Sequence, residues 1–471
     1  MNSDSFGLFL GELRQRRGLS QKRLGELLGL SGKAVSKWEC GLSMPQSGIL
    51  PRLADVLNVS LDELLSCGWE ENWKGNNRMK NEFWNRVDSA VCEKYGENPP
   101  LAVVNRLETE RNELQNPSYY FSMHIFGELK ELADSTGHRF TVYGYRTTAF
   151  APYLLGLNPV NPLPAHYYCP KCRTMEFVTG CTDGYDLPPK SCNCGTPMHR
   201  DGHSIPPDVT VQPPEYYGIQ TDCGFCDTAN EFFHSYPGAA ETPLENNANE
   251  FHFAFRNPTV YIRALSQPIR EAMYLMERGT NTSADRIDYL SPDILEDLLN
   301  ADCEGLPDMG LRFSRQVIEC CKPRNFAQLA KITGMTHSTG LWLDNAENLL
   351  GSGIPLDQMI SCREDIYCTI RDAMIRQGCT DYGFAVTVME NARRGRYLKN
   401  GMSESDRALL LDLELPEWFI DSLCKCKYLF LKSDSIRYTR DSMIFQWYKL
   451  HYPEVFREVM TTYYDAMCSR Y

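Results

Sequence analysis

Apolar residues at the start of the chain recur at helical spacing and are separated by short polar breaks. In SFGLFLGELRQ they follow the i, i+3, i+4, i+7 pattern of an amphipathic helix, and KRLGELLGL resumes the pattern after the break GLSQ. Ser20 and Ser31 precede the second and third patterns, where a serine side chain can cap a new helix. Two more short apolar patterns, PRLADVLN and LDELL, follow. The spacing predicts five short helices within residues 1–67.

Beyond this part, the pattern is less regular. Residues 68–94 combine charges and asparagines with scattered aromatic residues, which predicts a linker that includes at most one helix. The longest stretch without a charged residue, TTAFAPYLLGLNPVNPLPAHYYCP, is broken by prolines, so we expect no membrane-spanning segment. The first residues lack the pattern of a secretory signal, and we expect a cytoplasmic protein.

The acidic balance of the chain limits how it can bind nucleic acid. The net charge is −13 over 471 residues, yet residues 1–65 hold eight Lys and Arg against seven Asp and Glu. Neutralisation of phosphates by Lys and Arg supplies most non-specific affinity for DNA, so the acidic remainder should repel bulk duplex. Any DNA contact is therefore expected to be local.

The segment LSQKRLGELLGLSGKAVSKWECG resembles the helix-turn-helix of the Cro/CI (Xre-type) repressor family, and the resemblance covers residues 6–66. It implies that the third helix lies in the major groove of double-stranded DNA, with its early residues at base edges. Lys33 is the main candidate for guanine readout. Gly32, just before it, departs from the family pattern because glycine offers no side chain. The implied DNA-binding residues are Gln21 at a phosphate, and Gly32, Lys33, Ser36 and Lys37 at bases. A module kept for protein contacts is the alternative.

Five cysteines crowd into residues 166–203 among Pro, Gly and Asp. A C-x-x-C pair and a later C-x-C pair in tight turns predict four thiolates around one structural Zn²⁺ that is closed to water. The predicted ligands are Cys169, Cys172, Cys192 and Cys194. The second pair is one residue shorter than usual, which leaves other ligands open: Cys181, His199, His203, or the later pair Cys223 and Cys226. Buried cysteines without a metal are the alternative.

The sequence around this knuckle resembles the zinc-bearing segment of the PolC-type bacterial DNA polymerase III alpha subunit, in NPVNPLPAHYYCPKCRTMEF and DGYDLPPKSCNCGTPMHRDGHSIP. Three later segments resemble the fingers region of that polymerase, in the same order: RNFAQLAKITGMTHSTGLWLDNAENLL, MENARRGRYL and LPEWFIDSLCKCKYLF. The resemblance spans residues 95–471 with interruptions, and it implies a bacterial, nucleoid-associated protein.

A length of 471 residues is typical of about two to four domains. Together with the two resemblances, it predicts an α+β, mainly helical chain. The predicted parts are a five-helix helix-turn-helix domain (1–67), a linker (68–94), a zinc-bearing remnant of a polymerase palm (95–284) and a helical fingers-like domain (285–471).

The polymerase family holds its catalytic metal ions with three aspartates, two in an Asp-x-Asp strand and one in a later strand. The resemblance places the first strand at IQTDCGFC, where Asp222 keeps one carboxylate and Gly224 replaces the second. Arg263 falls where the third aspartate belongs, and a guanidinium cannot bind Mg²⁺. We therefore expect a pseudoenzyme without catalytic Mg²⁺. Any remaining activity would be that of a DNA-directed DNA polymerase.

The nucleotide-binding segments of the family are retained only in part. The phosphate loop reads GYRTTAFAP, and the fingers motif reads FLKSDSIRY, with an aspartate at a histidine position. NARRGRYL matches a basic fingers segment that faces nucleotide or template, although a solvated turn is the alternative. The implied remnant of a nucleotide or nucleic-acid site is Arg146, Arg393, Arg394, Arg396 and Lys432.

The function that these features predict is sequence-specific binding of double-stranded DNA by a homodimeric, transcriptional-regulator-like protein with an inactive polymerase core. The alternative is a non-catalytic polymerase mimic that binds a partner or site of the replication machinery. An active polymerase is the third hypothesis, and it is disfavoured because the site residues are replaced.

Overall fold

The computed structural model describes residues 3–40, 42–46, 48–59, 64, 69–144, 146–207, 216–236, 239–243, 249–253 and 260–468. The chain divides into two compact units. The first comprises Met1–Asn85, Asn116–His124 and Ala254–Thr259, and the second comprises Arg86–Gln115, Ile125–Phe253 and Val260–Tyr471.

Four short helices open the first unit: α1 (Ser3–Arg16), α2 (Gln21–Leu28), α3 (Gly32–Glu39) and α4 (Leu50–Leu57). Both predicted serine caps are confirmed, because Ser20 and Ser31 accept hydrogen bonds from the backbone N–H groups of Arg23 and Ala34. In the predicted fifth helix, Leu64 is helical and buried, and the rest of LDELL lies outside the described residues. The buried core is formed by Phe6, Leu10, Leu13, Leu24, Leu28, Val35, Trp38, Leu53, Ala54, Leu57 and Leu64.

A single long helix, α5 (Trp69–Tyr95), covers the stretch that the sequence predicts as a linker. Among the side chains of α5 that the structure describes in the first unit, those of Phe83 and Trp84 are buried. The ring of Phe83 packs edge-on against Tyr119, and Trp84 Nε1 donates a hydrogen bond to the hydroxyl of Tyr120 at 3.2 Å. These aromatic contacts explain why the segment is ordered as a helix despite its polar composition.

The second unit contains two small sheets and many helices. Its strands are β1 (Phe140–Gly144), β2 (His166–Tyr168), β3 (Met175–Phe177), β4 (His199–Asp201), β5 (Tyr216–Thr221), β6 (Ala239–Pro243), β7 (Asn249–Phe253) and β8 (Val260–Ser266). Before and among the strands lie α6 (Leu101–Glu113), α7 (Pro117–Thr136), which begins in the first unit, α8 (Phe150–Leu154) and α9 (Cys223–Ser235).

After the last strand the chain is helical. The longer helices are α10 (Pro268–Thr280), α11 (Pro292–Leu299), α12 (Arg312–Cys321) and α13 (Phe326–Thr336), followed by the short α14 (Thr339–Leu341) and α15 (Glu347–Gly351) on either side of a π-helical turn (Trp342–Ala346). The remaining helices are α16 (Arg363–Arg376), α17 (Gly383–Arg393), α18 (Arg396–Asn400), α19 (Glu404–Asp412), α20 (Glu417–Lys425), α21 (Lys432–His451) and α22 (Pro453–Cys468).

The larger sheet has the order β1-β5-β8-β7-β6, and β5 and β8 are its parallel pair. Burial alternates along β8: Val260, Ile262 and Ala264 are buried, whereas Tyr261 and Arg263 are half-buried on the other face. A period of two is what a sheet with one covered face requires. The smaller sheet, β3-β2-β4, is antiparallel and carries the cysteine-rich loops.

Two apolar cores lie in the helical part of the second unit. One includes Phe326 of α13 and Phe445 of α21, and the other includes Ile366 of α16 and Phe419 of α20. The predicted α+β, mainly helical fold is confirmed. Among the residues described, no helix combines the length and apolarity that a membrane crossing requires.

Candidate functional site

The solvent-facing side of α3 carries the residues predicted to read DNA. Val35 and Trp38 are buried on the opposite side, which holds α3 against the core of the first unit. Lys33 and Lys37 are exposed, and Ser36 is half-buried. No ion pair within the described chain involves either lysine. Both ammonium groups are therefore available to an anionic partner.

Glu39 ends α3 and joins it to α1 and α2. Arg14 donates to both carboxylate oxygens, from Nε at 2.6 Å and from Nη2 at 3.0 Å, and Gln21 Nε2 donates at 2.8 Å. The hydrogen bond to Glu39 raises the pKa of the Arg14 guanidinium. Gln21, predicted to contact a phosphate, thus has its side-chain amide N–H held within the protein.

Gly32 occupies the position where the repressor family often has a base-reading side chain. A Cβ built on Gly32 would lie 2.9 Å from Cα of Lys22 and 3.1 Å from the backbone nitrogen of the same residue. Backbone atoms cannot move aside as a flexible side chain can, so α2 and α3 approach this closely because the residue is glycine. The predicted base contact by Gly32 can therefore come from its backbone alone.

The predicted zinc ligands converge on one point. The ligand atoms of Cys169, Cys172, Cys192 and Cys194 all lie within 4.8 Å of one another. Cys169 Sγ is 3.7 Å from Cys194 Sγ, and Cys192 Sγ is 3.9 Å from Cys172 Sγ. Four sulfurs at about 2.3 Å from one Zn²⁺ stand about 3.8 Å apart in a tetrahedron. The cluster therefore has the donors and the size of a tetrahedral thiolate metal site.

The thiols of this cluster differ in proton affinity. Hydrogen bonding with the side chain and backbone of Thr196 lowers the pKa of Cys194 to about 6. Hydrogen bonding with Cys194 raises the pKa of Cys172 to about 12. Four neighbouring thiols share their protons in this way because charges on all four would repel one another, and a cation at their centre would hold all four as thiolates.

Three of the alternative ligands have hydrogen-bond partners outside the cluster. Cys181 Sγ donates to the carbonyl of Asp183 at 3.0 Å, and His203 Nδ1 lies 2.9 Å from the carboxylate of the same aspartate. Cys223 Sγ lies 2.8 Å from Ser266 Oγ. In the described residues, the four predicted cysteines are the one group of three or more Cys, His, Asp or Glu side chains placed to hold a metal ion. The shortened C-x-C pair thus still closes the cluster.

The structure corrects the placement of Asp222 and Gly224 on a strand. β5 ends at Thr221, and Asp222 is the N-cap of α9, where Oδ1 accepts the backbone N–H of Phe225 at 2.9 Å. Its carboxylate also lies 3.0 Å from His138 Nδ1. An aspartate that caps a helix is an ordinary local preference, which the strand assignment overlooked. Gly224 lies inside the first turn of α9.

Arg263 and Asp222 are not brought side by side. Arg263 on β8 stands opposite Gly218 on β5, four residues before Asp222, and opposite Glu250 on β7. The Arg263 guanidinium pairs with the Glu250 carboxylate, which is 9% exposed. The position expected to bear a catalytic aspartate thus holds a cation paired with a neighbouring acid.

The basic residues of the implied nucleotide site are partly occupied by other groups. Arg146 Nη1 donates to Glu113 Oε2 at 2.6 Å, and Lys432 Nζ donates to the carbonyl of His203 at 2.6 Å. The arginines near the end of α17 are also engaged, by one acid and one amide. Arg393 and Arg394 both bind the Glu390 carboxylate, and Arg396 Nη1 donates to Asn391 Oδ1.

Two separate parts of the chain match known protein families. Residues 10–64 match the helix-turn-helix family, and residues 266–390 match the bacterial DNA polymerase III alpha subunit finger domain. The chain is similar to PolC-type DNA polymerase III. The enzymes of that name from Ureaplasma parvum and Thermotoga maritima are each 27% identical over 76% of this chain, and the one from Clostridium perfringens is 25% identical over 82%.

These PolC-type relatives are much longer than the chain, which covers 31% to 33% of their length. The chain therefore combines a helix-turn-helix DNA-binding domain with a PolC-like polymerase region.

Two groups in these sites were not anticipated from the sequence. Glu39 is the last residue of α3, and nothing in the local helical pattern indicates that it pairs with Arg14, which is 25 residues away in the chain. Glu250, the partner of Arg263 in the PolC-like region, lies thirteen residues away on a neighbouring strand. An acidic residue at the start of a strand pattern is the signal that could have suggested such a pair.

Proposed function

We propose that this protein is a sequence-specific DNA-binding regulator whose PolC-like region does not transfer nucleotides. The observation that carries the proposal is the contrast between the two sites. The base-reading lysines of α3, Lys33 and Lys37, are exposed and unpaired within the described chain, whereas Arg263 is paired with Glu250 where a metal-binding carboxylate is needed.

Loss of catalysis follows from the chemistry of phosphoryl transfer. The reaction needs carboxylates that hold divalent ions between the attacking and leaving oxygens. Arg263 repels such ions, and Asp222 is already bound to the first turn of α9 and to His138. Lys432 is tied to the His203 carbonyl, which leaves it poorly placed for a triphosphate. Each of these contacts supports a non-catalytic role.

We further propose that the four-cysteine cluster holds Zn²⁺ and that its role is structural. All four coordination positions are filled by protein sulfur, so no position is left for water or substrate. The cluster links the loops of a three-stranded sheet that has a small core of its own, in which the buried residues are Ala165, Tyr167 and Leu187. A metal would compensate for the small size of that core.

The regulator is expected to act as a homodimer on a pseudo-palindromic site. A single short recognition helix reads few base pairs, and repressors of this type gain affinity and specificity by placing two such helices one helical turn of DNA apart. The acidic excess of the whole chain would suppress binding elsewhere on the duplex.

Primer extension tests the non-catalytic half of the proposal. Purified full-length protein, a primed template and all four deoxynucleoside triphosphates, with Mg²⁺ or Mn²⁺, should give no extension. The Asp222→Ala variant serves as the matched control. Extension by the wild-type protein that disappears in Asp222→Ala would mean that the region is still a polymerase.

A polymerase mimic is the second candidate, and the fingers match over residues 266–390 favours it. A polymerase-like region whose metal-binding residues are replaced would bind a protein of the replication machinery without transferring nucleotides. Co-purification of a replication protein at near-stoichiometric yield from host cells would support this candidate. Recovery of the chain without any such protein would count against it.

A further inference from the structure

The first turn of α3 lies in backbone contact with the first turn of α2. The distance of 2.9 Å from a Cβ on Gly32 to Cα of Lys22 is shorter than real Cβ atoms show, so any side chain at Gly32 would force the two helices apart. The position before Lys33 therefore offers no side chain of its own. The residue nearest to that position belongs to α2, and it is Lys22.

The side chain of Lys22 is available on this surface. Lys22 is exposed, and no ion pair within the described chain involves it, whereas its neighbour Arg23 pairs with Glu26 at 3.1 Å. Side chains of a helix lean toward its N-terminus. Lys22 is the second residue of α2, and its Cα lies against Gly32, the first residue of α3.

We propose that Lys22 supplies the base contact that Gly32 cannot make, and that it binds guanine in the half-site next to the base pair read by Lys33. The inference rests on the proposed DNA-reading function. A lysine ammonium suits the O6 and N7 acceptors that guanine presents in the major groove. The close approach of α2 and α3 brings Lys22 of α2 next to the N-terminus of α3.

Selection of binding sites from a randomised duplex pool tests this proposal on the full-length protein. Wild type, Lys22→Ala, Lys33→Ala and the control Arg23→Ala are compared, and affinity is measured over a range of salt concentrations. Arg23→Ala removes a neighbouring charge that is already paired with Glu26. We expect Lys22→Ala to lose preference for guanine at one position by about tenfold, at a position different from the one altered by Lys33→Ala.

Three other results are decisive. Equal weakening for all sequences, with a salt slope reduced by about one and an unchanged site preference, would make Lys22 a phosphate contact and overturn the proposal. A Lys22→Ala protein identical to wild type would also overturn it. A wild-type protein that selects no sequence at all would instead refute the proposed regulator function, and the assignment of Lys22 would fall with it.

Discussion

Glu39 holds three helices of the DNA-reading domain together through one carboxylate. It accepts two hydrogen bonds from Arg14 of α1 and one from Gln21 of α2, while its own backbone ends α3. The side chains of Arg14 and Glu39 are 12% and 10% exposed, so this ion pair is largely shielded from solvent. Removal of one partner from such a pair leaves the other charge buried and uncompensated.

The Glu39→Ala variant should therefore destabilise the first unit by about 2 kcal/mol or more. The control is Glu26→Ala, which breaks the exposed pair with Arg23 and should cost about 0.5 kcal/mol or less. Hydrogen exchange of the backbone amides of α1 to α3 in the full-length protein measures both effects. Equal exchange rates in the two variants would show that Glu39 contributes no more than a surface acid.

At the scale of single elements, the cysteine knuckle depends on spacing and tight turns. Gly195 has a φ of +82°, a backbone conformation that glycine adopts without strain, and it directly follows the C-x-C pair. Purified wild-type protein should contain about one zinc per chain. Cys194→Ser should lower this content, whereas Cys223→Ser, which changes an exposed thiol outside the cluster, should not.

Elemental analysis of the three proteins, prepared without chelators, measures the zinc content directly. Treatment with a chelator should also increase hydrogen exchange in β2 to β4, because metal binding and folding are coupled at such sites. A wild-type protein that binds no zinc, or equal loss in both cysteine variants, would contradict the assignment of the ligands.

An acid from the cysteine-rich region accepts hydrogen bonds from the first turn of α13, next to its N-cap Asn325. Both carboxylate oxygens of Asp186 accept backbone N–H groups, from Phe326 at 2.6 Å and from Ala327 at 3.0 Å. Burial, reinforced by the charge of Asp183, raises the pKa of Asp186 to about 6. The native state therefore binds this proton more tightly than the unfolded chain does, and the resulting stability is present below pH 3.8 and lost as the pH rises through about 6.

The Asp186→Asn variant removes this titration. The free energy of unfolding of the wild type, measured relative to the variant, should fall by about 2 kcal/mol between pH 4 and pH 7. Hydrogen exchange of the α13 amides as a function of pH gives this difference. A difference that rises with pH over the same range would mean that the two backbone hydrogen bonds outweigh burial and hold the pKa of Asp186 low.

At the scale of the whole molecule, the predictable features are those that local sequence determines. Helical periodicity and serine caps indicated the helices of the first unit, and the C-x-x-C and C-x-C spacing indicated the four-cysteine cluster, because each depends on residues close in the chain. The register of β5 against β8, which sets Arg263 opposite Gly218, has no local signal in the sequence. The bond from Lys432 to the His203 carbonyl spans 229 residues and could not be inferred from either motif.

The helix-turn-helix and the PolC-like region differ in how well they retain the functional residues of the families they match. The helix-turn-helix has its predicted caps, a buried core and exposed lysines. The PolC-like region matches the polymerase finger family in sequence and has an arginine–glutamate pair at the expected metal site. This combination is expected when one domain is maintained for reading DNA and the other for a role other than nucleotide transfer.

A genome-wide footprint of the tagged full-length protein in its host tests this account most directly. It should be compared with Lys33→Ala/Lys37→Ala and with Lys130→Ala/Lys190→Ala, a control that removes two lysines already paired with Asp134 and Glu176. The account predicts a few discrete pseudo-palindromic sites that persist in the control and vanish in the α3 variant. A signal that follows replicating DNA and survives loss of Lys33 and Lys37 would contradict it, because the PolC-like region would then determine where the protein binds.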